Sequence, residues 1–393
     1  MAPGGGRRRL SPVLTAALFL LLFFRAWSPA LPERKVTRRR VAPGCVFVTL
    51  LDAERELALF ALNIDLHMPG ISVKPVLSEG YPAGRETVSG MCRRVDRPGN
   101  RAVGAMNADF FNASGPAGLS VTAGRMLKSG RGWSSLAFSI SGQPRIGRFT
   151  PHLTLRGEAL SGLIVSGLNV PMAGHPAVLY TPDFYPRLAA RPGRRFLMLS
   201  PSLKTVPASG GLEVRVEAQM ALDRSIPIPQ GFWGLVLDAA AAGAAGNAAA
   251  GSIFEFETGL GAEGLGIYHA VSGGPRLLRS GRVSVEREQE GQREGFDTER
   301  HPRTAAGFTQ DGRYLVLMVV DGRQPGYSRG VDLFELASLL REFGCAEALN
   351  LDGGGSSTMV VDKAVANRPS DPLGPRPVAN SLVVFYTGSQ EDM

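Results

Sequence analysis

The stretch NLDGGGSSTMVV, residues 350–361, combines groups that could do chemistry: one carboxylate, three glycines and three hydroxyl side chains between apolar runs. Glycine lets a backbone turn sharply and approach a ligand closely, and successive N–H groups can form a nest for an anion. The lysine of a phosphate-binding P-loop is missing. For an isolated DGGG, a tight turn in which Asp352 caps its own backbone would be the favoured interpretation.

A second carboxylate favours a site over a simple turn. The apolar run Tyr314–Val320 ends at Asp321, leucines at helical spacing follow, and a further strand pattern ends at Asp352. Strand, helix and strand predict a βαβ unit with parallel strands and a right-handed crossover. Because parallel neighbours end at one edge of a sheet, where open α/β sheets bind ligands, the two carboxylates are expected to lie close together.

Other polar residues are weaker candidates. Arg303 and Arg323 could hold a phosphate or carboxylate in a bidentate way, although most arginines form surface ion pairs. Asn107 ends a strand pattern, where an Asx-turn is the commoner role. Ser272 lacks the GxSxG context of a nucleophile, so its stretch is interpreted as a backbone-rich pocket wall. His301 could act as an acid or base, although a loop histidine is more often incidental.

The cysteine and histidine patterns argue against a zinc site. Cys45, Cys92 and Cys345 form no CxxC motif, and the five histidines are far apart with no HExxH. In an exported protein, a Cys45–Cys92 disulfide is the preferred pairing, and Cys345 is expected to be buried.

The N-terminus is predicted to be a targeting segment. Arginines precede a fifteen-residue apolar run, residues 10–24, which is short for a membrane span and typical of a signal-peptide core. Residues 1–30 are therefore expected to be a signal peptide or an uncleaved anchor. Residues 31–44 are expected to be a basic linker that could contact an anionic membrane surface. Either way, the body of the protein is expected to be periplasmic or extracellular.

Composition indicates a globular protein. The 393 residues are 44% hydrophobic and 20% charged, and abundant glycine and proline suggest many turns and few long helices. The net charge of +8 falls to +4 without the four arginines that flank the apolar run. No nucleic-acid motif or basic–aromatic patch occurs, so nucleic acid is not an expected partner.

The predicted fold is mixed α/β or α+β: a central mixed β-sheet core, few helices and a C-terminal βαβ unit that carries the site at its strand ends.

Taken in order, the motifs resemble the phosphodiester glycosidase family. The matching stretches are NADFF (107–111), VLYTPDF (178–184), SGGPRLL (272–278), HPRTAAGF (301–308), VVDGRQPGYSRGVDLFELASLL (319–340), ALNLDGGGSSTMVV (348–361), NRPSD (367–371) and RPVANSLVVF (376–385). The expected organisation is a β-rich N-terminal part at 45–99, the glycosidase domain at 100–387 and a tail at 388–393.

The resemblance implies hydrolysis of the glycosidic C1–O bond of a sugar, with N-acetylglucosamine expected, that is linked to a phosphodiester. It implies that the catalytic residues are Asp352, Asp321, Arg303 and Arg323. It implies that the substrate-binding residues are Asn107, Asn350, Gly353, Gly354, Gly355, Ser356, Ser272 and Asn380. No cofactor and no catalytic metal are expected, although a loop carboxylate could hold a structural Ca²⁺.

The expected partner is a sugar-1-phosphodiester or an envelope glycan, with membrane contact only through the N-terminal segment. An unusual Ala/Gly stretch at 239–251 could be a poor helix, although its glycines favour a mobile loop. It separates the chain from the animal members, so their substrate is not carried over. Two alternatives remain open. One is a non-catalytic glycan-binding factor in exopolysaccharide or envelope assembly. The other is a phosphodiesterase that cleaves P–O, against which the lack of a His/Asp metal cluster counts.

Overall fold

The computed structural model describes Met1 and residues 34–388, apart from 158–159, 247 and 265. Apart from Met1, the predicted targeting segment at 1–30 lies outside the described residues. Within the described part, none of the helices combines the length and the apolar character needed to cross a bilayer.

Strands dominate the fold. The first strands are β1 (Lys35–Ala42), β2 (Cys45–Asp52), β3 (Leu57–Asp65), β4 (Ile71–Leu77), β5 (Arg101–Asn107), β6 (Phe111–Asn112), β7 (Gly115–Pro116), β8 (Leu119–Thr122), β9 (Arg125–Ser129), β10 (Ser135–Ser139), β11 (Pro144–Gly147), β12 (His152–Gly157), β13 (Leu160–Ile164), β14 (Gly167–Leu168) and β15 (Ala177–Tyr180). The later strands are β16 (Arg187–Leu188), β17 (Arg195–Pro201), β18 (Gly210–Ala221), β19 (Ile226–Pro227), β20 (Trp233–Leu237), β21 (Ile253–Gly259), β22 (Ile267–Ser272), β23 (Arg276–Arg279), β24 (Arg282–Val283), β25 (Arg303–Phe308), β26 (Tyr314–Val320), β27 (Glu347–Asn350), β28 (Met359–Val361), β29 (Ala364–Val365) and β30 (Asn380–Tyr386). The α-helices are α1 (Val88–Val95), α2 (Ala239–Ala244) and α3 (Leu333–Glu342). Single 3₁₀ turns occur at Ser78–Gly80, Ala262–Gly264 and Gly354–Ser356.

Four sheets of five or eight strands organise these elements. Sheet 1 has the order β1-β2-β3-β26-β25-β27-β23-β24, and sheet 2 has the order β29-β28-β5-β30-β4. Sheet 3 has the order β11-β10-β22-β8-β9, and sheet 4 has the order β13-β12-β21-β18-β17-β20-β15-β14. Within the described residues the paired strands are antiparallel except β14 and β15. The expectation of a sheet core with few helices is therefore confirmed in its coarse form.

Strand β26 shows how the sequence pattern produces the layers. Its alternate side chains point to opposite faces of sheet 1. Leu317 lies in the core shared with sheet 2, whereas Met318 lies in the core that α3 covers through Leu336. Both faces are thus covered, which explains the continuous apolar run that predicted a fully buried strand. On the far side, α1 packs on sheet 2 through Met91.

Sheet 3 joins this layered body to sheet 4. Leu136 of β10 faces the core between sheets 1 and 2, whereas the next residue, Ala137, faces the core under sheet 4. The strand pattern predicted at Leu212–Met220 lies within β18 and alternates between buried and exposed residues, as expected for a half-buried strand.

The C-terminal βαβ unit was predicted to have two neighbouring parallel strands, and the structure shows that these strands are not neighbours. Strand, helix and strand occur as β26, α3 and β27, and Asp332 caps α3 by accepting a hydrogen bond from the Glu335 N–H at 2.8 Å. However, β25 lies between β26 and β27 and is antiparallel to both. The outer two therefore run in the same direction without being neighbours. The small residues of RTAAGF hid this inserted strand.

Three local predictions also need correction. The expected linker at 31–44 contains β1, whose exposed basic residues form an edge strand of sheet 1; charged edges discourage strand pairing with other chains. The Ala/Gly stretch begins as helix α2, because the side chain of Asp238 caps it by accepting from the Ala241 N–H. All three cysteines are free and buried, so the Cys45–Cys92 disulfide is wrong, while Cys345 is buried as expected.

We predict that Gly104→Ala lowers the free energy of unfolding by about 1–3 kcal/mol, because overpacking a core forces its neighbours to move. A Cβ at Gly104 would lie 2.5 Å from Cδ1 of Leu62, where sheets 1 and 2 meet. Urea unfolding measures the change.

Gly243→Ala is the matched control. It lies in α2 with no atom within 4 Å of the added Cβ, so the helix preference for alanine should stabilise the protein by about 0.5–1 kcal/mol. Equal changes in the free energy of unfolding for the two substitutions would contradict the close packing of sheets 1 and 2.

Candidate active site

The amide of Asn107 joins three chain segments at the end of β5. Its Oδ1 accepts hydrogen bonds from the Thr358 N–H at 3.1 Å and the Thr304 hydroxyl at 3.0 Å. Its Nδ2 donates to the backbone carbonyl of Asp352 at 2.5 Å. Asn107 is fully buried, so the side chain predicted to bind substrate positions the Asp352 backbone instead.

The glycine loop after Asp352 is held from both sides. Gly354 has a φ of 63°, and its N–H donates to the Pro302 carbonyl at 2.8 Å. A Cβ at Gly355 would lie 2.0 Å from the Asp371 carboxylate. The Ser356 N–H donates to a carbonyl within the loop at 3.3 Å. The predicted anion nest therefore loses several of its N–H groups to contacts within the protein.

The Asp352 carboxyl lies beside this loop. Its backbone N–H donates to the carbonyl of Ala108 at 3.0 Å, which ties it to the segment after β5. The residue keeps a partly exposed edge. Burial nevertheless raises the pKa of Asp352 to about 7, while Ser356, the charge of Arg376 and the Gly353 N–H oppose the rise. Asp352 can thus exchange a proton near neutral pH.

Asp109 is a second carboxylate of the same site, and it is buried. One oxygen accepts from the Ser272 N–H, and the other accepts from the Asn380 side chain at 2.7 Å. Burial raises the pKa of Asp109 to about 8, to which the charge of Asp352 contributes, while Asn380, Ser272 and the charge of Lys128 oppose it. The predicted binding residues Ser272 and Asn380 therefore hold a carboxylate that the sequence analysis passed over.

Three buried polar atoms on the segment around Asp352 have no hydrogen-bond partner among the described residues: Asn350 Oδ1, Ser356 Oγ and Thr358 Oγ1. The Ser356 hydroxyl is near enough to Asp352 to lower its pKa, but it makes no bond of good geometry. The Nδ2 of Asn350 donates to the Gly274 carbonyl at 2.7 Å. Since buried polar groups are normally satisfied, these atoms mark positions for waters or for ligand oxygens.

The two predicted arginines have different environments. Arg303 is buried and donates to the carbonyls of Val331, Phe296 and Glu299 at 3.1, 3.0 and 2.6 Å. Burial lowers the pKa of Arg303 to about 10. This guanidinium clamps the loop before β25 and is not free to grip a ligand.

Arg323 is exposed and lies over the glycine loop. A Cβ at Gly354 would be 3.3 Å from its Nη2, and the same atom lies 3.4 Å from His301 Nδ1. The other ring nitrogen of His301 is 3.1 Å from a Glu299 oxygen. No ion pair joins Arg323 to a carboxylate of the described residues, so its charge is available to an anionic ligand.

Arg376 is a further cation near the loop. It forms a bidentate ion pair with Asp371 at 2.7 and 2.9 Å, and both groups lie against Gly355. Its charge lowers the pKa of Asp352. This pair both holds the glycine loop and places positive charge near the carboxylate.

Asp321 does not join this group of side chains. It is buried and accepts from the Asn367 side chain at 2.7 Å, the Tyr327 hydroxyl at 3.0 Å and the Arg368 N–H at 2.8 Å. Burial raises the pKa of Asp321, while these bonds oppose the rise. Asn367 also donates to the Ser357 carbonyl at 3.1 Å. The catalytic role of Asp321 stays a prediction, but its oxygens organise loops.

Partly exposed aromatic rings border Asp109. Phe110 packs edge-on against Trp133 and Phe296, with ring centroids 5.7 and 6.2 Å apart. Such rings can cover the apolar C–H face of a sugar while polar groups hold its hydroxyls.

Other features do not compete with this site. No cluster of three His, Cys, Asp or Glu side chains in the described part could hold a metal ion. A groove of about 1110 Å³ on sheet 4, lined by Arg156, Glu213 and Glu255 among others, contains none of the predicted residues. The convergent charges and unfilled polar atoms, rather than cavity volume, identify the site.

Comparison with known proteins supports the resemblance. The family model described as phosphodiester glycosidase matches residues 225–385. This segment belongs to that family. It contains Asp321, Asp352, the glycine loop and Asn380, whereas Asn107 and Asp109 precede it.

Relatives of the phosphodiester glycosidase segment are distant. The N-acetylglucosamine-1-phosphodiester alpha-N-acetylglucosaminidase of Mus musculus is 34% identical over 110 residues, covering 26% of this chain and 21% of that protein. The SPbeta prophage-derived uncharacterized protein YomE of Bacillus subtilis is 39% identical over 93 residues, or 24% of this chain and 14% of that protein. The alignments thus span about a fifth or less of these relatives.

A solved structure shows the fold more completely. The crystal structure of a hypothetical protein from Synechocystis has a TM-score of 0.74 and 22% identity, covering 90% of this chain and 64% of that chain. At this identity, the likeness concerns the fold alone.

The sequence analysis did not select several charged residues of the site, although they lie in the same motifs as the residues that it selected. Asp109 is two positions beyond Asn107, Asp371 ends the quoted NRPSD, and Arg376 opens RPVANSLVVF. Lys128 gave a subtler signal, because it follows Met126 in the alternating strand β9 and so shares its buried face. Alternation in a strand could have predicted this burial.

We predict that Asp321→Ala lowers the free energy of unfolding by about 2–4 kcal/mol, because three donors lose a buried charged acceptor. Urea unfolding measures it. Asp223→Ala, at an exposed position, should change stability by less than about 0.5 kcal/mol. If Asp321→Ala unfolds with the same free energy as the wild type, Asp321 has no structural role, and the result favours the predicted catalytic role.

Proposed function

We propose that this chain hydrolyses the glycosidic C1–O bond of a sugar, N-acetylglucosamine first, whose anomeric carbon carries a phosphodiester. The observation that carries the proposal is the pair of carboxylates Asp352 and Asp109. Both have a raised pKa, and their backbones are joined through the hydrogen bond from Asp352 to Ala108. Such pairs are typical of glycoside hydrolysis.

Asp352 is the carboxylate that we propose to react, because it keeps a partly exposed edge while Asp109 is buried. It serves the oxocarbenium-like carbon either as base for water or as nucleophile. As a base it takes a proton from water while the water oxygen bonds to C1 and the C1–O bond breaks. The leaving phosphomonoester is already stable as an anion, so it needs little help from an acid.

Positive charge for the phosphodiester comes from Arg323, which lies over Gly354 and has no carboxylate partner in the part of the chain that the structure describes. Arg376 adds a weaker field, because Asp371 neutralises much of its charge. Fixed cations aimed at the leaving oxygens stabilise the charge that develops there. Arg303, with its donors on backbone carbonyls, supports the loop rather than the phosphate.

The sugar would lie between the unfilled polar atoms and the aromatic rings. Asn350 Oδ1 and Ser356 Oγ could accept or share hydrogen bonds with its hydroxyl or acetamido groups. Phe110 and Trp133 could cover its apolar face. In this proposal Asn107 and Asn380 act on the substrate indirectly, because they hold Asp352 and Asp109.

The biological substrate that we propose is an exported or envelope glycoconjugate. The N-terminal apolar run at 10–24 with its flanking arginines supports export of the body of the protein. The name of the mouse relative, N-acetylglucosamine-1-phosphodiester alpha-N-acetylglucosaminidase, supports the sugar and the bond. The same site without turnover would instead serve a glycan-binding factor.

We predict that the purified full-length chain releases N-acetylglucosamine from a simple N-acetylglucosamine-1-phosphodiester, and that ¹⁸O from labelled water enters the sugar. C1–O cleavage places the water oxygen on the anomeric carbon. Mass spectrometry of both products locates the label. Asp352→Asn should lower kcat by about 10³-fold or more, the usual effect of losing a group that acts in the transition state.

Asp223→Asn serves as the control with full activity. Label in the phosphate would show P–O cleavage and replace the glycosidase by a phosphodiesterase. Glycan binding without any release, unchanged in Asp352→Asn, would support the binding factor and overturn the proposal.

A further inference from the structure

Lys128 is buried, and none of the described residues pairs with its charge. Its side chain lies on β9 with 1% exposure. Its Nζ has no hydrogen-bond partner, and no ion pair joins it to a carboxylate in the described residues. Lysine is rarely buried in this way, and an isolated ammonium is costly to remove from water.

The strand pairing places Lys128 next to the segments that hold Asp109. Lys128 is opposite Ser120 in the ladder between β8 and β9. The neighbouring Leu119 carbonyl accepts from the Ser272 hydroxyl at 2.9 Å, and the Ser272 N–H donates to Asp109. One strand therefore separates the ammonium from the backbone that binds the carboxylate.

An aromatic ring lies near the Lys128 ammonium on another side. The Nζ lies 5.9 Å from the centre of the Phe184 ring, within the range of a cation–π contact. Phe184 ends VLYTPDF, a stretch of the family resemblance to which the proposed reaction assigned no role. The ring lies beside the ammonium without neutralising it, which leaves its charge to act on Asp109.

The charged groups that act on this pair are few. Asp109 interacts with Lys128 and with the like charge of Asp352. Lys128 interacts with Asp109 and with the like charge of Arg131. Arg376 acts on Asp352 from the other side of the site. Lys128 is therefore the cation whose field favours the ionised form of Asp109.

We propose that Lys128 is a positioning residue that acts through Asp109: its buried ammonium, one strand away from the backbone that binds this carboxylate, couples its positive charge to the Asp109–Asp352 pair. This inference rests on the proposed function for its catalytic meaning, although the coupling itself is a property of the protein alone. Lys128 need not touch substrate to act in this way.

The pKa directions agree with this role. Burial raises the pKa of Asp109 to about 8, and the charge of Lys128 opposes that rise. Burial lowers the pKa of Lys128 to about 8, and the charge of Asp109 opposes that fall. Removing Lys128 should therefore move the Asp109 titration to higher pH, and removing Asp109 should move the Lys128 titration to lower pH.

The test is a carboxyl titration by NMR of protein with ¹³C-labelled aspartate, with Asp109→Asn used to assign the Asp109 signal. In Lys128→Met, the Asp109 midpoint should rise by about one pH unit or more, as expected when a nearby opposite charge is removed. Lys128→Arg should restore the wild-type midpoint. Lys204→Met, at an exposed lysine, should leave it unchanged.

An Asp109 midpoint that is equal in wild type and Lys128→Met overturns the proposal. If Lys128→Met fails to fold, the reciprocal measurement decides. In Asp109→Asn with ¹⁵Nζ-labelled lysine, the Lys128 midpoint must fall, and an unmoved midpoint overturns the proposal equally.

The pH dependence of kcat/KM separates this inference from the proposed function. In active protein, the limb of the profile that reports ionisation of the carboxyl pair should move to higher pH in Lys128→Met and return in Lys128→Arg. A protein that turns over no sugar phosphodiester but shows the shifted titration keeps the coupling and loses the function. An active protein whose titration does not move keeps the function and loses the role of Lys128.

Discussion

The site depends on one buried amide. Asn107 ends a strand of sheet 2 and bonds the backbone on either side of the glycine loop, at Asp352 and Thr358, while Thr304 of sheet 1 donates to it. Its side chain thus fixes the relative position of two sheets and one catalytic candidate. Because the Asn107 side chain is fully buried, a change in any partner would leave another group unsatisfied.

The burial of two carboxyl groups is the second constraint. Burial raises the pKa of Asp352 beside the glycine loop and the pKa of Asp109 between Ser272 and Asn380. A carboxyl whose folded-state pKa lies above its unfolded value contributes stability below about pH 4, and this contribution is lost as pH rises through the folded pKa. The protein is therefore expected to give up stability near neutral pH for reactive carboxylates, a common property of active sites.

The sequence predicted individual strands and helices better than it predicted which strands lie next to each other. Apolar periodicity gave the buried strand at Tyr314–Val320 and the helix after it, because each pattern is local. It failed at β25, since RTAAGF has small residues whose strand role depends on what packs beside it. It also predicted a substrate-binding role for Asn107 and a catalytic role for Arg303, whose side chains hold backbone groups in the structure. The bonds of Asn107 join residues about 200 or more positions apart in the chain, and no spacing rule reveals such contacts.

The most direct test of the account is a crystal structure of Asp352→Asn soaked with an intact N-acetylglucosamine-1-phosphodiester. The account predicts the anomeric carbon beside residue 352, the phosphate at Arg323, and sugar oxygens on Asn350 or Ser356. A ligand with its phosphate on another face, or a sugar whose anomeric carbon lies away from residue 352, would contradict it.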